Sequence, residues 1–147
     1  MEPHRIRVLF LCTHNSARSQ MAEGILRQFG GERFEVYSAG TEPSQVSPYA
    51  VRVMQEAGID ISEQSSKSLS EFVGRHFDYV ITVCDQANET CPVFPGDPQR
   101  IHWSFPDPSA VEGSDEARYQ AFERTARELT IRLRTWIQLP HAELLGR

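Results

Sequence analysis

A chain of 147 residues, 39% hydrophobic and 24% charged, has the size and make-up of one globular domain that can bury roughly two thirds of its unfolded surface. Its formal net charge of −5 opposes nonspecific binding to nucleic acid and to anionic lipid, and no apolar run approaches the ~20 residues of a membrane helix. An anionic ligand of such a chain must be small and drawn in by a local positive site. The opening residues, Met1 to Asn15, hold only a short apolar stretch and no secretory cleavage pattern, so a cytoplasmic location is expected. Three cysteines in a reducing compartment are not a structural staple, which leaves reactive or buried thiols.

In chain order, Ile6 to Leu11 reads as a short strand buried on both faces, and it stops abruptly at Cys12-Thr13-His14-Asn15-Ser16. From about Ala17, the residues Met21, Ile25 and Phe29 recur at helical spacing beside Ala22 and Leu26, with Gly30-Gly31 as the stop. Phe34 to Ala39 reads as a second strand. Ser47-Pro48 offers an N-cap followed by proline at the first helical position, and Gly58 closes that helix. Ser68 to Glu71 matches a capping box, Phe77 to Val83 is an apolar strand ending at Cys84, and Arg100 to Trp103 is a short fourth strand. A long helix from about Ser114 to Gln138 carries the stripe Phe122, Ala126, Leu129, Leu133, Trp136. Alternating strands and helices predict an α/β fold, a four-stranded parallel sheet covered by helices on both faces and one domain over 1–147. Ligands then bind at the carboxyl ends of the strands, where Cys12, Cys84 and Asp107 fall.

Three clusters carry chemistry. Cys12 and Arg18 are separated by five residues between a buried strand and a helix, so the backbone amides of Thr13, His14, Asn15, Ser16 and Ala17 can wrap a tetrahedral oxyanion. The helix N-terminus and the Arg18 fork add positive charge. The same field favours the Cys12 thiolate as a nucleophile, and Ser19 can donate a hydrogen bond to it. The bland alternative is a buried strand-end thiol beside a solvated arginine. Cys84 and Cys91 form the second cluster. In one helix they would lie about 10 Å apart, beyond the roughly 7 Å that a disulfide tolerates, so bridging them requires the segment to bend. A buried thiol pair, or half of a zinc site with His102, are the alternatives, and six intervening residues exceed the usual zinc knuckle. In Asp107-Pro108, proline biases Asp107 toward extended backbone and can hold its carboxyl above the loop as a proton donor, although alone such a pair is an ordinary turn.

The segments CTHNSARSQMAEG, YSAGTEP, GIDIS, VITVCDQANETCP and HWSFPDPSA together resemble the thioredoxin-coupled arsenate reductases with the low-molecular-weight tyrosine phosphatase fold, from Ile6 to Trp136. The resemblance implies Cys12 as nucleophile, Arg18 and the loop amides as oxyanion binders, Ser19 as thiolate stabiliser and Asp107 as general acid. It implies that Cys84 resolves the arsenic adduct on Cys12, and that Cys91 resolves the first disulfide. Arsenate is the implied substrate, with phosphate or sulfate competing, and thioredoxin the reductant. No metal or organic cofactor, no nucleic acid and no membrane is implied, and a monomer is the expected form. Two positions depart from the family pattern. His14 replaces a glycine, which predicts a stiffer loop if that position needs positive φ, and Ala17 replaces a cysteine of many members. Some members hold a potassium ion at residues matching Asn15, Glu23 and Ser38, with Lys67 here in the acidic fourth place. The Lys67 ammonium can then take the place of the cation by donating to Glu23 and Asn15; the bland alternative is a lysine that points into water, as exposed lysines usually do.

Other functions fit parts of this pattern. A low-molecular-weight tyrosine phosphatase needs the loop and Asp107 but neither Cys84 nor Cys91, and usually carries tyrosine after the Asp-Pro, where Ser109-Ala110 stand. A mycothiol-coupled arsenate reductase leaves the third cysteine redundant, and a non-catalytic oxyanion-binding or arsenite-sensing module needs no proton donor.

Overall fold

The computed structural model describes residues 5–140. Met1 to His4, where the reading of the N-terminus begins, lie outside the described residues. In chain order the elements are β1 Ile6–Cys12, α1 Arg18–Gly30, β2 Phe34–Gly40, α2 Pro48–Glu56, β3 Tyr79–Thr82, β4 Gln99–His102 and α3 Asp115–Ile137. Short 3-10 turns cover Gly31–Arg33, Leu69–Glu71 and Pro108–Ala110. The strands form one sheet in the order β2-β1-β3-β4, with every pair parallel. No helix among the described residues is long and apolar enough to cross a membrane.

The centre of the sheet is β1, buried along nearly its whole length, which is why Val8 to Leu11 is continuously apolar rather than alternating. One face carries all three α-helices. Val8 and Phe10 meet Met21 and Ile25 of α1, Val53 of α2 and Phe122, Leu129 and Trp136 of α3 in a single core. The opposite face is covered more thinly, by the Leu69–Glu71 turn with its C-terminal flank and by the loop before β4, through Phe72, Phe77 and Phe94 packed on Leu9, Leu11 and Val80. Local signals set several boundaries. Ser47 caps α2 by accepting from the Tyr49 amide at 3.2 Å, and Ser114 caps α3 by accepting from Ala117 at 3.1 Å, each satisfying one of the orphan donors of a first turn. Ser68 and Glu71 form the expected capping box, on a 3-10 turn rather than an α-helix.

Strand ends shift by one or two residues. Phe77 leaves the ladder because its ring is taken up edge-on by Phe94 and Tyr37, so β3 starts at Tyr79. Trp103 lies past β4, yet its amide still donates to Thr82 O at 2.9 Å. All four carboxyl ends point to one rim. There β1 ends at Cys12 and β2 at Gly40, Cys84 lies just past β3, and Asp107 follows β4.

Candidate active site

The loop from Thr13 to Ala17 is held from outside by its carbonyls. Thr13 O accepts from Glu42 N at 2.9 Å, His14 O from Ser44 N at 3.3 Å, and Ser16 O from Ser47 N at 2.8 Å. A trans peptide is planar with its C=O and N–H pointing opposite ways. The amides of His14, Asn15 and Ala17 are thereby turned away from the 42–47 segment. Ala17 caps α1 without a side-chain acceptor, so the first-turn amides beside Arg18 have no side-chain partner from the cap. The strain expected at His14 falls one residue later: among the described residues, Asn15 is the non-glycine residue with positive φ, at 51°, a conformation asparagine tolerates. His14 stands at the surface with Nδ1 3.1 Å from Glu42 O.

Asn15 is fully buried and organises the loop. Its Oδ1 accepts from Lys67 N at 2.9 Å and from Gln20 Nε2 at 3.0 Å, and its Nδ2 donates to Ser19 Oγ at 2.7 Å. That donation leaves the Ser19 proton free to point at Cys12 Sγ, 2.9 Å away. Cys12 is 2% exposed and is the free cysteine of the chain.

Arg18 is 2% exposed and donates from Nη1 to Phe105 O at 3.0 Å. Its fork is engaged by a residue that motif reading does not single out, Glu89. Arg18 Nη2 donates to Glu89 Oε1 at 2.8 Å and Nη1 to Oε2. The Thr13 hydroxyl donates to Glu89 Oε1 at 2.9 Å, and Asp85 N donates to Oε2 at 2.8 Å. Burial opposes the Arg18 charge, but the Glu89 hydrogen bond and the charges of Cys12, Asp107 and Glu89 outweigh it and push its pKa up. Asp107 Oδ2 lies 3.9 Å from Arg18 Nη2, while Oδ1 accepts from Ser109 N at 2.9 Å, so the Asp-Pro turn directs one carboxyl oxygen toward the Arg18 fork.

Burial also opposes the Glu89 charge, yet hydrogen bonds from Arg18, Asp85 N and Thr13 together with the Arg18 charge hold its carboxyl at about 2 rather than 4.5. A depressed folded-state pKa contributes stability that is complete above the unfolded value and is lost as pH falls through the folded one. The melting temperature of wild type should therefore exceed that of Glu89→Gln by a full margin above pH about 4.5, shrinking toward pH about 2. A margin independent of pH in thermal scans would show that the carboxylate is not the stabilising group.

Cys84 and Cys91 are joined in a disulfide with Cα atoms 5.9 Å apart. The intervening residues form turns, not a helix, which brings these atoms well inside the separation a helix would impose. Cys84 is buried and Cys91 half-buried. His102 has a ring nitrogen within 4.8 Å of both sulfurs, with Nδ1 2.7 Å from Thr82 Oγ1. While the disulfide stands, neither cysteine offers a thiolate to a metal.

Lys67 reaches Glu23 less closely than expected. Its ammonium lies 3.9 Å from Glu23 Oε1 and donates to Ser65 O, and the bond to Asn15 comes from its backbone amide instead. Glu23 already receives Ser38 Oγ at 2.5 Å and Arg27 Nη2 at 2.8 Å, which crowds the carboxylate. Burial lowers the Lys67 pKa against the pull of Glu23 and Glu71.

Gly40 is the second residue that motif reading passes over. A Cβ there would lie 2.5 Å from Thr13 O, 2.9 Å from Asn15 N and 3.0 Å from Cys12 O, all backbone that cannot yield without reshaping the loop. Gly40→Ala should cost about 1–3 kcal/mol in stability and weaken phosphate binding together with it. Unchanged phosphate affinity by calorimetry would show that the loop accommodates the methyl group. The sequence signal for Gly40 was its place at the end of a strand within YSAGTEP, adjacent to the β1 loop only once the sheet order is known.

Residues 7–144 match the low molecular weight phosphotyrosine protein phosphatase family. The chain is 44% identical over 131 residues to an arsenate reductase of Halalkalibacterium halodurans, covering 89% of this chain and 94% of that one. Its fold is similar to the crystal structure of an arsenate reductase from Archaeoglobus fulgidus, with TM-score 0.74 and 29% identity over 90% of this chain and 99% of that one. It is also similar to a thioredoxin-dependent arsenate reductase of Corynebacterium glutamicum, with TM-score 0.63 and 30% identity over 92% of this chain and 65% of that one. With a cysteine and an arginine framing the loop at the rim of a parallel sheet, the chain belongs to the low molecular weight phosphotyrosine protein phosphatase family and has the fold of its arsenate reductases.

Proposed function

We propose that this chain reduces arsenate to arsenite in the cytoplasm by a relay of Cys12, Cys84 and Cys91, regenerated by thioredoxin. The observation that carries the reading is the pairing, on one rim, of a free Cys12 hydrogen-bonded to Ser19 with a bonded Cys84–Cys91 pair. Phosphate-ester hydrolysis requires only the first of these. In the proposed sequence the loop amides and Arg18 hold arsenate, and the Cys12 thiolate forms an S–As bond while an As–O bond breaks. The departing oxygen leaves as water with a proton from Asp107. Cys84 then attacks Cys12 Sγ, and the electron pair of the broken S–As bond goes to arsenic, which leaves as arsenite. Two thiols have become one disulfide. Cys91 attacks Cys84, freeing Cys12, and an external dithiol reduces the Cys84–Cys91 bond.

Cys91 borders an open groove of about 300 Å³ lined by Val80, Thr82, Val93, Phe94 and His102, and Val93 is 77% exposed. This supports attack on the disulfide by a partner protein from the β4 side. Arsenate-dependent NADPH oxidation with thioredoxin and thioredoxin reductase, measured beside hydrolysis of a phosphotyrosine analogue, tests the reading. Turnover of arsenate is expected. Analogue hydrolysis without arsenate turnover would replace the reductase with a phosphatase.

A further inference from the structure

The Arg18 fork is the place the proposed function gives to the substrate, and in the disulfide form a side chain of the protein itself sits there. Glu89 presents both carboxylate oxygens to the guanidinium, the planar two-point match that also suits a phosphate-type anion. Its other donors belong to the same neighbourhood: the Thr13 hydroxyl at the start of the loop and the Asp85 amide next to Cys84. Glu89 is 18% exposed in its side chain, so the contact is largely shielded from water. Glu89 lies inside the ring closed by Cys84–Cys91, two residues before Cys91, and that ring is folded on itself by Glu89 N donating to Asp85 O at 2.8 Å.

We propose that Glu89 is an internal anionic ligand of the Arg18 site, which stands in for the oxyanion while Cys84 and Cys91 are bonded and so makes the disulfide form refuse arsenate and phosphate. This rests on the reading of Arg18 as the oxyanion binder. An incoming anion must displace the carboxylate from Arg18 and Thr13 or share their positive field with a like charge, and both lower its affinity. The consequence is orderly. An enzyme whose Cys84 is tied up cannot resolve an adduct on Cys12, so excluding arsenate until the disulfide is reduced prevents a stalled S–As intermediate.

The test is calorimetric titration of the disulfide form with inorganic phosphate at neutral pH and constant ionic strength. Wild type is compared with Glu89→Gln and Glu89→Ala, each checked for one free thiol and native circular dichroism. Removing the carboxylate should tighten phosphate binding by about tenfold or more, equal to roughly 1.4 kcal/mol. Dissociation constants within about twofold of wild type in both variants, or no binding by either, would overturn the proposal. Arsenate turnover by the same wild-type preparation separates the two readings. Turnover with unchanged phosphate affinity removes only the role of Glu89, whereas tighter binding in the variants without turnover removes only the reductase.

Discussion

Cys12→Ser is expected to abolish arsenate reduction, while Cys91→Ser should complete about one turnover and stop with a Cys12–Cys84 disulfide. The strand register makes that pairing reachable. Leu11 pairs with Thr82 across β1 and β3, and Val83 N donates to Leu11 O at 2.9 Å, so Cys84 is one step beyond the partner of Cys12. At about 4.8 Å between strands and about 3.3 Å along them, the two Cα atoms lie roughly 6 Å apart, within disulfide range. Direction is the remaining requirement. Val83 shares the helix-side core with Cys12, and strand alternation turns Cys84 to the other side, so the segment past β3 must swing as the relay runs. Cys84 lies past the last ladder residue, Thr82, where the backbone has that freedom. Amide hydrogen exchange should accordingly differ between reduced and disulfide forms across 84–91. Peptide mapping of Cys91→Ser after one addition of arsenate settles the order of attacks: a digest without the Cys12–Cys84 link would remove it.

Asp107→Asn should slow formation of the Cys12 adduct by about 10²- to 10⁴-fold, the usual contribution of a positioned proton donor, with a far smaller change in oxyanion affinity. The geometry separates the two roles. One Asp107 oxygen is occupied by Ser109 N at 2.9 Å, which the asparagine carbonyl can still accept, so the turn survives the substitution. The other oxygen faces Arg18 Nη2 at 3.9 Å and is the one that delivers the proton in the proposed sequence. Rapid-quench measurement of the first step, beside a phosphate competition titration, reads both quantities. Equal losses in rate and affinity would identify Asp107 as a merely structural turn residue.

Local chemistry is what the sequence determined by itself. The apolar run from Val8 to Leu11, the Ser47-Pro48 cap and the Cys12-to-Arg18 spacing depend on neighbours a few residues away, so periodicity and capping rules read them directly. For the same reason, the parallel sheet and its single reactive rim were legible before any coordinate. Tertiary structure decided what depends on partners distant along the chain. Gly40 must lack a Cβ because β2 lies beside β1, which sets its backbone against Thr13, Asn15 and Cys12. The positive φ belongs to Asn15 rather than His14 because the buried Asn15 amide bridges Ser19, Gln20 and Lys67, contacts that only the folded chain supplies. Glu89 looked like one more acid in a polar loop. It became the partner of Arg18, 71 residues away in sequence, because the 84–91 turns lie against the loop that follows β1, and no local rule encodes the meeting of two segments so far apart.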